Sequence, residues 1–464
     1  MITTVIGRTF LHAYNREYKK DYTSKEFFDK IYFELFFNHP KYMMWAQNSP
    51  FVQMKKGQTP ETLTSTERLE KLENLHQKVD QGDRDASIAI GFPASEDKEF
   101  ATTSGLVTDI EIEIPNEDVY YTWIGSSLSI GIAGGFSLLF NDEKILLDIY
   151  KGWEYYRRFL NDEAISKIRG NQVVTWNGQW LNYFYSSDYR EHFDFATLVE
   201  AGILAQDATK IEVNTIKWSL LFFNLSRHYS DRVIPAYVFG LGQTNKTLGF
   251  YPFHFKQGLK LIHIYKILFG ENNALKDAKD YETLFGIHIK RACELGTIGL
   301  QALEPDGLRK YFIEAKFPDF SKPSTSVKKS DTDDDIAEKQ RLAEQKDYNQ
   351  NIIPFRTFKT WLVAMITKNK EEILDYTAEV AAALHEYKKA TTKTDRGNLI
   401  KSELLVAKTK KAFLDCLSTV IKDIAPDKLE LFKGLRDRVH LMTSEDFGYF
   451  VVLLKFDYAF QERN

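Results

Sequence analysis

Apolar and polar residues follow two different rhythms along this chain, one up to residue 320 and another from residue 351. In the first part the pattern is mixed. Lys25 to Phe37 (KEFFDKIYFELFF) has helical length and an apolar stripe, and Thr23 and Glu26 before it have the spacing of a capping box. Leu106 to Ile114 alternates, with Ile110, Ile112 and Ile114 on one face and Glu111 and Glu113 on the other, which predicts a strand. Ser127 to Phe140 reads as a buried strand or hairpin bent at Gly134-Gly135, and Val233 to Phe239 and Thr247 to Phe255 read as two strands around a glycine-bearing turn.

From residue 351 the period changes to three and four. Phe355 to Thr367, Glu371 to Ala390, Asn398 to Ile424, Asp427 to His440 and Ser444 to Phe460 each predict a helix, with breaks at Asn369, Gly397 and Ala425-Pro426-Asp427. Short connections make neighbouring helices antiparallel, so a bundle is expected. Ser321 to Asp347 has no aromatic side chain and few large apolar ones; it predicts a polar linker with a frayed helix in its second half. The expected architecture is α+β: a mixed α/β domain over 1–320, a linker over 321–350 and an all-α bundle over 351–464.

Composition narrows the class. At 464 residues, 43% hydrophobic and 14% aromatic, the chain has material for a large core, which excludes wholesale disorder. The net charge of -4 excludes a globally basic protein, so any polynucleotide surface must be local. Charge is uneven, however: residues from Ile336 onward carry 22 basic against 19 acidic side chains, so the acidic excess lies before them. Cys293 and Cys416 stand alone, which excludes zinc ribbons, iron-sulfur clusters and disulfide frameworks. Met1 to Phe10 lacks the apolar run of a signal peptide and no later stretch reaches about 18 apolar residues, so a soluble, cytoplasmic protein with no membrane partner is expected.

A reaction finds no anchor. Neither a phosphate-binding glycine loop nor GxSxG nor HExxH occurs, and His254 and His263 lie in an apolar setting that suits packed histidines. Asp109, Glu111 and Glu113 line a solvated strand face. A dispersed metal site using Asp109, Glu111, Asp207 and Glu212 would make the chain a metal-dependent nuclease, which is the main rival reading; a plain protein-interaction scaffold is the third.

Polynucleotide binding has more to stand on. Glu386 to Lys411 carries Lys388, Lys389, Lys393, Arg396, Lys401, Lys408, Lys410 and Lys411 against only three acidic residues, with Lys401 and Lys408 expected on one helical face. An ordinary solvated helix face has the same look. Gln243, Thr244, Asn245 and Lys246 sit between two strands, where a hairpin turn is the bland reading and amides that pair with a base the sharper one. Asn171 and Gln172, and Asn177 beside Trp176 and Trp180, offer further amides, which turns and buried indoles explain equally. Lys19, Lys20, Lys41, Lys55 and Lys56 rim an aromatic stretch that reads first as core and second as a binder of RNA ends.

Taken in order, the aromatic segment Phe27 to Phe51 (FFDKIYFELFFNHPKYMMWAQNSPF), the glycine-rich segment Thr122 to Phe140 (TWIGSSLSIGIAGGFSLLF) and the basic C-terminal helices resemble the large subunit of type I CRISPR Cascade complexes, nearest the I-B-like branch. The resemblance covers nearly the whole chain and rests on architecture, with no short diagnostic motif. It implies a non-catalytic, cofactor-free subunit of a crRNA-guided antiviral complex, partnered by crRNA, duplex and displaced single-stranded DNA, the Cascade backbone subunits and a recruited helicase-nuclease. By position it makes Gln243 to Lys246 the first candidate for inspecting the protospacer-adjacent motif, Asn171, Gln172 and Asn177 the next, the lysines at 19, 20, 41, 55 and 56 the crRNA-handle contacts, and Lys388 to Lys411 the displaced-strand track. The cysteine zinc clusters of some relatives are impossible here, and an internal start at Met365 would truncate the first bundle helix.

Overall fold

The computed structural model describes residues 2–45, 49–82, 114–240, 246–270, 278–308, 332–366, 372–391 and 395–463. The strand expected over Leu106 to Ile114 lies outside them except for Ile114, as do Asp109, Glu111, Gln243, Thr244, Asn245 and Lys393. The fold is α+β, with a small antiparallel sheet in the N-terminal half and an all-helical C-terminal region. The chain divides into two compact units, one of residues 1–256 with 288–298 and the other of 257–287 with 299–464.

In the first unit, helix α1 (Ile2–Tyr18) is followed by the helical pieces Ser24–Phe27, Phe28–Tyr32 and Phe33–Phe36, then α2 (Ser65–Asp80), α3 (Asn116–Ser127), α4 (Glu143–Asn161), α5 (Val173–Phe184) and α6 (Trp218–His228). The capping box forms as expected: Glu26 N donates to Thr23 Oγ1 and Thr23 N to the Glu26 carboxylate. The middle piece is a π-turn. Strands β1 (Ile130–Ile132), β2 (Phe136–Phe140), β3 (Leu204–Gln206), β4 (Ile211–Val213), β5 (Val233–Gly240) and β6 (Lys246–His254) make two sheets. The larger has the order β1-β2-β5-β6, with Phe140 opposite Ala236 and Ala236 opposite Tyr251; β3 and β4 pair alone. Gly134 and Gly135 turn β1 into β2 at φ 95 and 76, a region where a side chain would be strained.

Most of the aromatic N-terminal stretch is core, although Trp45 is exposed. Phe27, Phe28, Tyr32, Phe36, Phe37 and Phe51 are all fully buried. Tyr32 stacks on Phe36 at 4.2 Å and Phe37 on Phe51 at 4.0 Å, while Trp123 and Trp153 meet them edge-on. Two glycines bring α1 and α3 together: a Cβ on Gly7 would meet Tyr121 O at 2.0 Å, and one on Gly125 would meet Thr3 O at 1.9 Å.

In the second unit, α7 (Asp333–Asp347) occupies the second half of the expected linker, capped by Thr332 and Asp335 and with Asp333, Asp334 and Asp335 at its positive end. None of its residues is buried, so capping and composition hold it. Next come α8 (Ile353–Ile366), α9 (Glu372–Lys389), α10 (Lys410–Lys422), α11 (Leu429–Leu441) and α12 (Ser444–Arg463). The core of this unit holds Phe358, Trp361, Leu384, Phe413, Phe450 and Leu454, and Lys359 reaches the buried Asp457 at 2.8 Å.

One expected helix is broken. Asn398 to Ile424 resolves into a short turn at Asp395–Asn398, a π-turn at Leu399–Glu403, a 3-10 turn at Leu404–Val406 and then α10. Leu404 and Leu405 turn inward, Ala407 is extended, and Thr409 Oγ1 accepts from Ala412 N to start a new helix. Lys401 and Lys408 therefore do not share one helical face.

Candidate nucleic-acid interface

The candidate amides divide by burial. Asn177 is fully buried: its Oδ1 accepts from Trp153 Nε1 at 3.1 Å, and its Nδ2 donates to Ser127 O at 2.7 Å and Ser129 O at 2.8 Å. It fastens α5 to the end of α3 and cannot face a ligand, which corrects the expectation of a base reader. Gln172 is half-buried and its Oε1 accepts from Val213 N at 3.1 Å, so its amide serves the fold as well. Asn171 is exposed at φ 59, with its N–H donating to Tyr42 O at 2.6 Å. Lys246 opens β6 at an exposed position opposite Gly240.

Among the N-terminal lysines, Lys41 departs from expectation. It is half-buried, its Nζ donates to Ser166 O at 2.5 Å and Ile168 O at 2.9 Å, and burial holds its ammonium below the usual lysine range. Lys19, Lys20, Lys55 and Lys56 are exposed.

The bundle lysines are not one stripe. Lys388 and Lys401 both close on Glu462, Lys401 at 2.7 Å. Burial pushes the Glu462 carboxyl up, but these hydrogen bonds outweigh it and hold it below its ordinary value. Lys410 donates to His440 O at 3.2 Å and Met442 O at 2.9 Å, satisfying carbonyls at the end of α11. The Arg396 guanidinium lies 4.2 Å over the Tyr387 ring. That leaves Lys389, Lys408 and Lys411 exposed, with no carboxylate partner among the described residues.

Of the rival metal-site residues, Asp207 accepts from Thr209 and Lys210 within its own turn, and Glu212 pairs with Arg169 and Lys210. Among the described residues no group of three His, Cys, Asp or Glu side chains is placed to hold a metal ion.

Among the described residues, one developed surface feature is one the sequence reading passed over. Lys144, Lys151 and Arg158 recur every seven residues on α4, so they lie along one side of it about 10 Å apart. Each cation faces an aromatic ring: Lys144 at 5.4 Å from Tyr185, Lys151 at 5.5 Å from Phe184 and Arg158 at 4.5 Å from Tyr155. Two concavities follow this side of the helix and share Lys151. One, of about 570 Å³, is lined by Lys151, Glu154, Tyr155, Arg158, Trp180, Phe184, Tyr189 and Glu191; the other, of about 310 Å³, by Arg16, Glu17, Tyr18, Glu143, Lys144, Leu147, Asp148 and Lys151, with Arg16 paired to Glu143 at 2.5 Å.

Close packing of α4 and α5 builds the wall. A Cβ on Gly152 would meet Trp180 Cδ1 at 2.4 Å, so only glycine lets the indole lie there; Trp180 Nε1 then donates to Asp148 O at 2.6 Å. Trp180 continues into Phe184 and Tyr155 at 5.4 and 4.9 Å. Beneath the row, Asp148 accepts from Lys144 and Lys151, each at 2.8 Å, and from Tyr185 OH at 2.7 Å. Burial pushes the Asp148 carboxyl up, and those three donors more than reverse it. Glu154, at the rim, is raised by burial. Arg158 is exposed and pairs with no carboxylate among the described residues. The seven-residue recurrence of cations in EKILLDIYKGWEYYRRFL, read against Trp176, Trp180 and Phe184 four apart, is the signal that would have found it.

Compared with protein-family models, with curated proteins and with solved structures, the chain shows no significant match. No helix among the described residues is long and apolar enough to cross a membrane.

Proposed function

We propose that this protein binds single-stranded nucleic acid through the α4 groove, and that it does so as the large subunit of a crRNA-guided antiviral surveillance complex. The observation that carries the binding reading is the row Lys144, Lys151 and Arg158, each cation seated on a ring along an open concave face. Cations at this spacing track a phosphate backbone without reading sequence, and the half-buried Tyr155 and Phe184 rings beside two of them offer stacking surface to unpaired bases, while Tyr185 is buried. The assignment to a guide complex comes from the resemblance of the chain's order of parts. In that setting Lys19, Lys20, Lys55 and Lys56 are the exposed candidates for the guide's handle, Asn171 and Lys246 for motif inspection, and Lys389, Lys408 and Lys411 for the displaced strand.

Anisotropy of labelled single strands across a salt series tests the binding reading. Affinity should fall linearly with salt on logarithmic axes, and the labelled strand should stay intact with Mg²⁺ or Mn²⁺ present. Cleavage would hand the case to a nuclease, and absence of binding at low salt to a protein-interaction scaffold. Co-purification of a short RNA from the native source tests the guide-complex assignment, and a preparation free of RNA counts against it.

A further inference from the structure

We infer that Asp148 is an internal competitor for the phosphates of a bound strand, so that the groove's affinity is set below what its cations would otherwise give. This rests on the reading of the groove as a single-strand site. Lys144 and Lys151 supply two of the row's three charges, and both ammonium groups end 2.8 Å from one carboxylate. The exposures are lopsided: the lysine side chains are 64% and 44% accessible while Asp148 is 2% accessible. A phosphate can therefore reach the lysines from solvent, yet the carboxylate, fixed in the wall beneath them, cannot follow them. When both lysines turn outward, Asp148 keeps only the Tyr185 hydroxyl at 2.7 Å. Losing two charge-assisted hydrogen bonds from a buried carboxylate is a cost subtracted from every binding event. Arg158, with no such partner, contributes without that deduction.

Asp148→Asn removes the competing charge while keeping the shape and an acceptor for Tyr185. It adds one unit of effective positive charge to the row. The slope of log affinity against log salt for labelled oligothymidylate should steepen by about 0.7, which at 0.1 M salt is roughly fivefold tighter binding. Tyr185→Phe has the opposite sign: with its other donor gone, Asp148 holds the lysines harder, and binding should weaken although the Tyr185 hydroxyl faces the protein interior. Glu200→Gln, which removes an exposed charge that lines neither concavity, is the control for a general field effect and should change affinity less than Asp148→Asn. Unchanged or weaker binding by a folded Asp148→Asn, or an equal gain from Glu200→Gln, overturns the inference while salt-dependent binding lost in Arg158→Ala keeps the groove reading. If Asp148→Asn does not fold, unchanged or tighter binding by Tyr185→Phe overturns the inference by itself. If neither the native chain nor Asp148→Asn binds a single strand, both fall together.

Discussion

Replacing Asn177 with alanine separates a structural amide from a base-reading one. The native side chain closes three hydrogen bonds inside a fully buried site: one from Trp153 Nε1 and two to the carbonyls of Ser127 and Ser129. Alanine leaves all three partner groups buried without a replacement, and the space vacated by the amide is small. At about 1–2 kcal/mol for each orphaned group, the loss is about 4 kcal/mol, a large share of the 5–15 kcal/mol or so that holds a typical domain together. Urea unfolding followed by tryptophan fluorescence is the natural assay, because Trp153 is itself one of the partners. The midpoint should fall sharply, and at low temperature the folded variant should bind a single strand as the native chain does. An unaltered midpoint together with a changed sequence preference would refute the structural account and restore Asn177 as a reader.

Other perturbations test other parts of the molecule. Gly125→Ala places a methyl 1.9 Å from Thr3 O, so α1 and α3 must separate; thermal melts should show a loss of about 2–3 kcal/mol, and an unchanged melting temperature would contradict the close crossing. Lys359→Met strands the buried Asp457 and should cost about 3–5 kcal/mol in denaturant titrations, whereas Lys359→Met with Asp457→Leu should recover most of it. The His39 imidazole is held down to about 4, by burial first and Arg157 second, and its Nδ1 accepts from Lys41 N at 2.9 Å. Because its ordinary value is 6.5, the unfolded chain takes the proton first: the contribution is complete above that pH and disappears as pH falls towards about 4. Melting temperature should drop across that window, and His39→Asn, which keeps an acceptor, should flatten the drop. Finally, Lys389, Lys408 and Lys411 changed together to alanine should reduce the salt slope of strand binding by up to about 2, while Lys401→Ala, whose ammonium serves Glu462, should leave it nearly unchanged.

Much of the fold was legible because it is written locally. The Thr23–Glu26 capping box, the Gly134-Gly135 bend and the three-and-four spacing of four of the five expected C-terminal helices are patterns between residues a few positions apart, and these form where the spacing places them. The helix in the second half of the polar linker starts from the same kind of local signal, a Thr332 cap followed by three aspartates, which the sequence reading did not single out. The break before α10 was less visible, since Thr409 can cap a helix or sit within one, and the inward packing of Leu404 and Leu405 decides which.

The candidate site was far less legible, for a physical reason. Whether a lysine is available to a ligand depends on which carboxylate or carbonyl lies beside it in space. Lys388 is tied to Glu462, 74 residues away, and Lys41 to carbonyls more than 120 residues away. Whether an amide reads or braces depends on which way its helix faces, and Asn177 faces inward because α5 packs on β1, with Gly178 close against Gly131 O. The sequence by itself determined where elements start, stop and change period, because hydrogen bonding and side-chain spacing within an element are short-range. Only the tertiary structure decided which charges are neutralised and which are left facing solvent, because Coulomb energy and burial depend on neighbours in space that chain order does not specify.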